Sequence, residues 1–176
     1  GQDATVTQTD ATSSDSDITQ SNANNTAEVT QAGADNYSNV DQTADGATAI
    51  VSQDSSADAP TSNDPTNDSS VIQSGASNAN VGQTGEGNAS DVDQSGAAST
   101  ANVTQLNANR PAPGAANRVN QATIDQDADD ATATIDQNGE GGLSTISQSA
   151  SALNASAGST QFGEDNVSSI TQSGAD

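Results

Sequence analysis

Histidine, cysteine, lysine, methionine and tryptophan are all missing from this 176-residue chain, and Tyr37 and Phe162 are its whole aromatic content. Without histidine, cysteine or lysine, and with no glycine-rich phosphate loop between a strand and a helix, catalysis has little to work with. No enzyme is expected, and no catalytic, cofactor-binding or metal residue is assigned. The absence of cysteine leaves the redox compartment open. No apolar run approaches the roughly 18 residues that a membrane-spanning helix needs, so membrane insertion is not expected. Positive charge is confined to Arg110 and Arg118 against 24 acids, a formal net charge of −22, which argues against nucleic acid or anionic lipid as partners. With hydrophobic residues at 30%, composition by itself describes an acidic disordered segment.

The order of the residues overrides that description. Ser90-Asp91-Val92-Asp93-Gln94 and Ala101-Asn102-Val103-Thr104-Gln105 repeat one pattern, a small residue, a β-branched residue and an amide at alternate positions, eleven residues apart. Alternate residues of an extended strand share a face, so each copy sends those three side chains to one side and polar residues to the other. The amides of the series are Gln8, Gln20, Gln31, Gln42, Gln53, Gln73, Gln83, Gln94, Gln105, Gln126, Gln137, Gln148, Gln161 and Gln172. Two residues before them stand Val6, Ile18, Val29, Val40, Val51, Val71, Val81, Val92, Val103, Ile124, Ile135, Ile146 and Ile170, with Ser159 in a degenerate copy. Of the 17 Val and Ile residues, 14 sit two before a Gln, which chance does not produce.

This spacing predicts an all-β chain, a cross-β β-solenoid with two strands per rung of about 22 residues and about seven rungs, residues 1–176 forming one domain. The Gln residues pair as 8/20, 31/42, 53/73, 83/94, 105/126, 137/148 and 161/172. Gln121 and Gln126 are too close for two strands and a turn. Ala122-Ile124-Gln126 keeps the full pattern, so the strand is assigned there. Two insertions, 54–68 with Pro60 and Pro65 and 107–121 with Pro111, Pro113 and both arginines, are read as loops, because proline offers no ladder donor. Both fall between the first and second strand of a rung. Gly33, Gly75, Gly85, Gly96, Gly139 and Gly174, and Asn25, Asn36, Asn78, Asn88 and Asn166 five after a Gln, are expected at corners that need left-handed backbone.

A Ser or Ala, a β-branched residue, Gln, and Asn five further on, repeated about every eleven residues, resembles the curlin repeat of bacterial curli subunits. Ser90-Asp91-Val92-Asp93-Gln94 and Gln83-Thr84-Gly85-Glu86-Gly87-Asn88 carry the likeness, which extends from Ala4 to Gln172. The resemblance implies a secreted, extracellular amyloid subunit that stacks as a β-solenoid, polymerises at the cell surface and builds biofilm matrix or an adhesive coat. It also implies a nucleator subunit and an outer-membrane export channel as partners.

Identical amides one rung apart can hydrogen-bond along the stack, so a Gln column satisfies its own polar groups. No capping sequence flanks the first and last motifs, so the end rungs are expected to be open edges that pair with further copies head to tail, giving an amyloid-like fibre. The alternative is a monomeric acidic solenoid binding divalent ions, ice or a partner. Outward acids such as Asp17, Asp41, Asp91, Asp93 and Asp125 are expected to repel one another, keep fibres apart or collect divalent cations loosely. Asp125-Gln126-Asp127-Ala128-Asp129 opens like a calcium loop with Asp136 at its twelfth position, but Asp130 stands where such a loop needs glycine. The threonines facing outward from the first strands suggest an ice-binding array, which Gly82, Asp136 and Glu28 interrupt.

Overall fold

A computed structural model describes residues 1–55, 67–107 and 119–174. It comprises fourteen strands and, among the described residues, no helix. They are β1 (Asp3–Thr12), β2 (Asp15–Gln20), β3 (Thr26–Ala34), β4 (Asn36–Gln42), β5 (Thr48–Asp54), β6 (Asn67–Gln73) and β7 (Asn78–Gly85). There follow β8 (Asn88–Gln94), β9 (Thr100–Asn107), β10 (Asn120–Gln126), β11 (Thr132–Asn138), β12 (Leu143–Gln148), β13 (Ser156–Phe162) and β14 (Val167–Gln172).

Strands alternate between two parallel seven-stranded sheets. The odd sheet has the order β1-β3-β5-β7-β9-β11-β13, and the even sheet runs β2-β4-β6-β8-β10-β12-β14. Each rung is one odd and one even strand, so the chain is a β-solenoid of seven rungs. Every pairing is in one register: Val29 meets Val6 and Val51, and Gln31 meets Gln8 and Gln53. In the even sheet Ile124 meets Val92 and Ile146, and Gln126 meets Gln94 and Gln148. A slip of one residue would turn every inward side chain to solvent, which is why a period-2 sequence with one buried face specifies its register so tightly.

The core lies between the sheets. Val29, Val51, Val81, Val103 and Ile135 of the odd sheet, and Val40, Val71, Val92, Ile124 and Ile146 of the even sheet, are buried to 2% exposure or less. In the end rungs Val6 is 47% exposed, while Ile18 and Ile170 are partly buried against the core. Ser159 of β13 takes the place in register with Ile135, so the degenerate copy keeps its strand. The small inward residues divide by sheet. Ala27, Ala49, Ala79, Ala101, Ala133 and Ala157 line the odd side, and Ser38, Ser69, Ser90 and Ser144 line the even side, with Ala122 among them.

Three readings from the sequence need correction. The interiors of both proline loops, 56–66 and 108–118, lie outside the described residues, but their limits shorten. Asp54 and Asn107 end strands, and Asn67, Asp68, Asn120 and Gln121 begin them, because Asn67 and Asn120 are held by buried asparagine contacts one rung away. The left-handed backbone does not fall on Asn25, Asn36, Asn78, Asn88 or Asn166. It falls one residue earlier at most of these corners, on Asn24 (φ 61°), Asp35 (φ 57°), Gly87 (φ 70°) and Asp165 (φ 54°), freeing the following Asn to point inward. Gly33, Gly85 and Gly139 do have positive φ. Gly75, Gly96 and Gly174 do not, and serve close stacking instead: a Cβ on Gly96 would lie 2.0 Å from the Ala128 carbonyl oxygen of the next rung.

The amide columns as a candidate assembly site

The fourteen glutamines form two files, one rising from each sheet. In the odd file Gln8 Nε2 donates to Gln31 Oε1, and the series continues through Gln53, Gln83, Gln105, Gln137 and Gln161 at 2.7–3.0 Å. In the even file Gln20 donates to Gln42, and the series continues through Gln73, Gln94, Gln126, Gln148 and Gln172 over the same range. Every Nε2 donates toward the next rung. Its second hydrogen crosses to a backbone carbonyl at the start of the facing strand, as from Gln42 to Thr26, Gln94 to Asn78 and Gln105 to Ala89. Each inner glutamine thus uses both donors and accepts once, and does so at 0–1% exposure. An unpartnered buried amide would be costly, so the columns hold rungs in register and tie the two sheets together.

A third column was not recognised in the sequence. Asn67 Nδ2 donates to Asn36 Oδ1, Asn88 to Asn67 and Asn120 to Asn88, at 3.1–3.2 Å. This file runs opposite to the glutamines, each donor lying one rung later than its acceptor. The other Nδ2 hydrogens close corners, from Asn36 to the Ala32 carbonyl and from Asn88 to the Thr84 carbonyl. The signal was present: Asn stands six before Gln42, Gln73, Gln94 and Gln126. Counting forward from the preceding Gln hid it, because insertions separate Asn67 and Asn120 from Gln53 and Gln105. On the same sheet the serine hydroxyls are less well served. Ser90 Oγ donates to Ser69 Oγ, but Ser16, Ser38 and Ser144 have a buried Oγ without a hydrogen-bond partner.

The outer faces differ in charge. The even face carries Asp15, Asp17, Asp41, Asp68, Asp91, Asp93 and Asp125, and Asp93 and Asp125 are register partners in adjacent strands. Partial burial raises the pKa of Asp93 and Asp125, and their carboxylate neighbours raise it further, Asp91 first for Asp93 and Asp127 first for Asp125. Asp68 is raised by burial and then by Asp91. The odd face carries Asp3, Glu28, Asp54 and Asp136, none in register with another. Asp125 and Asp136, the ends of the calcium-like spacing, belong to different sheets and face opposite sides. Asp127 Oδ1 instead accepts from Ser95 Oγ, and Asp129 Oδ1 from the Ala97 N–H. Gln121, passed over in favour of Gln126, is exposed on the even face between Ala89 and Leu143.

Residues 23–54 match the family described as Curlin associated repeat, a span that takes in β3, β4 and β5. The chain matches no curated protein and no solved structure. Curlin repeats are those of curli-type fibre subunits, which are structural proteins and not enzymes. Since β3, β4 and β5 stack in the same Gln-on-Gln register as every other strand, the matched stretch is one turn of an array that runs the length of the solenoid, and the chain is a member of the curlin-repeat family.

Proposed function

We propose that this chain is the subunit of an extracellular curli-type fibre, adding to other copies end to end and serving as biofilm matrix, adhesive or surface coat. The observation that carries the reading is the single direction of the glutamine columns. At the first described rung Gln8 and Gln20 receive no amide from an earlier glutamine, and at the last Gln161 and Gln172 have no later glutamine to donate to. A second copy in the same register joins those donors to those acceptors and continues both columns.

Charge supports the same polarity. β13 and β14 contain no carboxylate, whereas β1 and β2 contain Asp3, Asp10, Asp15 and Asp17. Head-to-tail stacking sets Asp15 over Val167 and Asp17 over Ser169. Joining two first rungs would bring acidic strands together, at a cost of about 1 kcal/mol for each pair of carboxylates 4 Å apart in water. The exposed edges of parallel strands supply the remaining hydrogen bonds. The curlin resemblance adds a nucleator subunit and an export channel as partners, and the acidic face is suited to loosely held divalent cations.

Incubation of the purified chain followed by sedimentation and electron microscopy tests the reading. Unbranched fibres with a cross-β spacing of about 4.8 Å along the axis are expected. A β-rich particle that stays monomeric at high concentration overturns it in favour of a solitary solenoid.

A further inference from the structure

The outward face of the odd sheet has no described partner, and its composition differs from that of its counterpart. Thr26, Thr48, Asn78, Thr100, Thr132 and Ser156 form one file across consecutive strands, with small or neutral residues over most of the remainder. Its four acids stand apart from one another in the register. It also presents Ile50 at 41% and Phe162 at 69% exposure. The even face has exposed apolar residues too, but Tyr37 lies between Asp15 and Asp68, and Ile72 between Asp41 and Asp93. Covering those would bury charge with them.

From this difference we infer that the odd-sheet face is a lateral contact between two copies of the chain, packed face to face, while the acidic even faces remain in solvent. Six inter-strand steps of about 4.8 Å and four outward positions per strand make a face of about 30 by 20 Å. Two such faces remove about 1,200 Å² from solvent, the lower bound of a stable protein–protein interface. Short side chains let flat sheets approach to about 10 Å and interdigitate. In such a pair the two even faces lie about 30 Å apart, more than three screening lengths at physiological salt, so the bulk of the negative charge does not oppose the contact.

This inference does not depend on end-to-end growth, and one set of variants separates the two. Thr30 neighbours Thr7 and Ser52, and Thr100 neighbours Asn78 and Thr132, so T30E/T100E places charge on the odd face without creating an adjacent carboxylate pair. T145E, between Thr123 and Ser169, does the same on the even face. Circular dichroism establishes that each variant keeps its β-structure. Mass per unit length of fibres, or sedimentation mass where the protein stays soluble, is then measured in about 0.15 M salt, where charges are screened beyond about 8 Å. The expected result is a paired wild type, a paired T145E, and a T30E/T100E reduced to half that mass with fibre length unchanged. An unpaired wild type, a T30E/T100E that stays paired, or an equal loss in T145E overturns the inference. Paired particles that never elongate would uphold it while defeating the fibre reading.

Discussion

Asp93 of β8 and Asp125 of β10 are register partners on neighbouring rungs of the even face, so two carboxylates that are 32 residues apart in the chain repel one another in the fold. Burial and this crowding raise both pKa values, as burial and Asp91 raise that of Asp68. A carboxyl whose pKa is higher folded than unfolded binds more protons in the native state between the two values. Stability therefore rises as pH falls through the raised values, and the gain is complete below the ordinary value near 3.8. Urea unfolding between pH 7 and pH 4 is expected to show increasing stability on acidification, opposite to a protein held by carboxylate ion pairs. Asp125→Asn is expected to raise stability at pH 7 by no more than about 0.9 kcal/mol, the repulsion at one strand spacing in water, and to flatten the profile. A profile that falls on acidification, or an unaltered one in Asp125→Asn, contradicts this.

Gln94 and Gln121 distinguish a column amide from a surface one. Gln94→Ala removes the acceptor for Gln73 and the donor to Gln126, and leaves the Asn78 carbonyl without its side-chain donor, all within a closed core. A loss of about 2–5 kcal/mol is expected, from unsatisfied groups at about 1–3 kcal/mol each and the cavity left behind. Gln121→Ala, on the exposed face, is expected to change stability by less than about 0.5 kcal/mol. Denaturant midpoints compare the two directly, and equal effects would show that the amide columns do not hold the stack.

Gly96 and Gly158 make a similar contrast among glycines. Alanine at Gly96 would drive a Cβ against the Ala128 carbonyl of the next rung, and the corner has to open. Destabilisation of about 1–3 kcal/mol or more is expected. At Gly158, in β13, an added Cβ meets nothing within 4 Å, and Gly158→Ala is expected to be neutral or to stabilise by about 0.5–1 kcal/mol through the entropy of the unfolded chain. Thermal unfolding of both variants checks the pair; a tolerated Gly96→Ala would mean that the corners do not set the rung spacing.

Much of the architecture was legible because the code is local. A small residue, a β-branched residue and Gln at alternate positions state which side of each strand is inside, and their recurrence states how many strands there are. Even Ser159, which lacks the β-branched side chain, could be placed from Ala157 and Gln161 beside it. The corners were read less well. Asn36 and Asn88 look like turn formers in isolation, yet the residue before each bends the chain and the Asn itself points into the core.

Alone, the amino-acid order determined the strand count, the pairing of strands into rungs and the inward set of side chains, since a period of two with one buried face admits a single register. Only the tertiary structure decided the direction of the amide columns, the opposed asparagine file and the glycines at which carbonyls of adjacent rungs come close. It also decided which carboxylates became neighbours. These depend on contacts between residues some 20 to 30 positions apart, and such contacts exist only once rungs lie on one another.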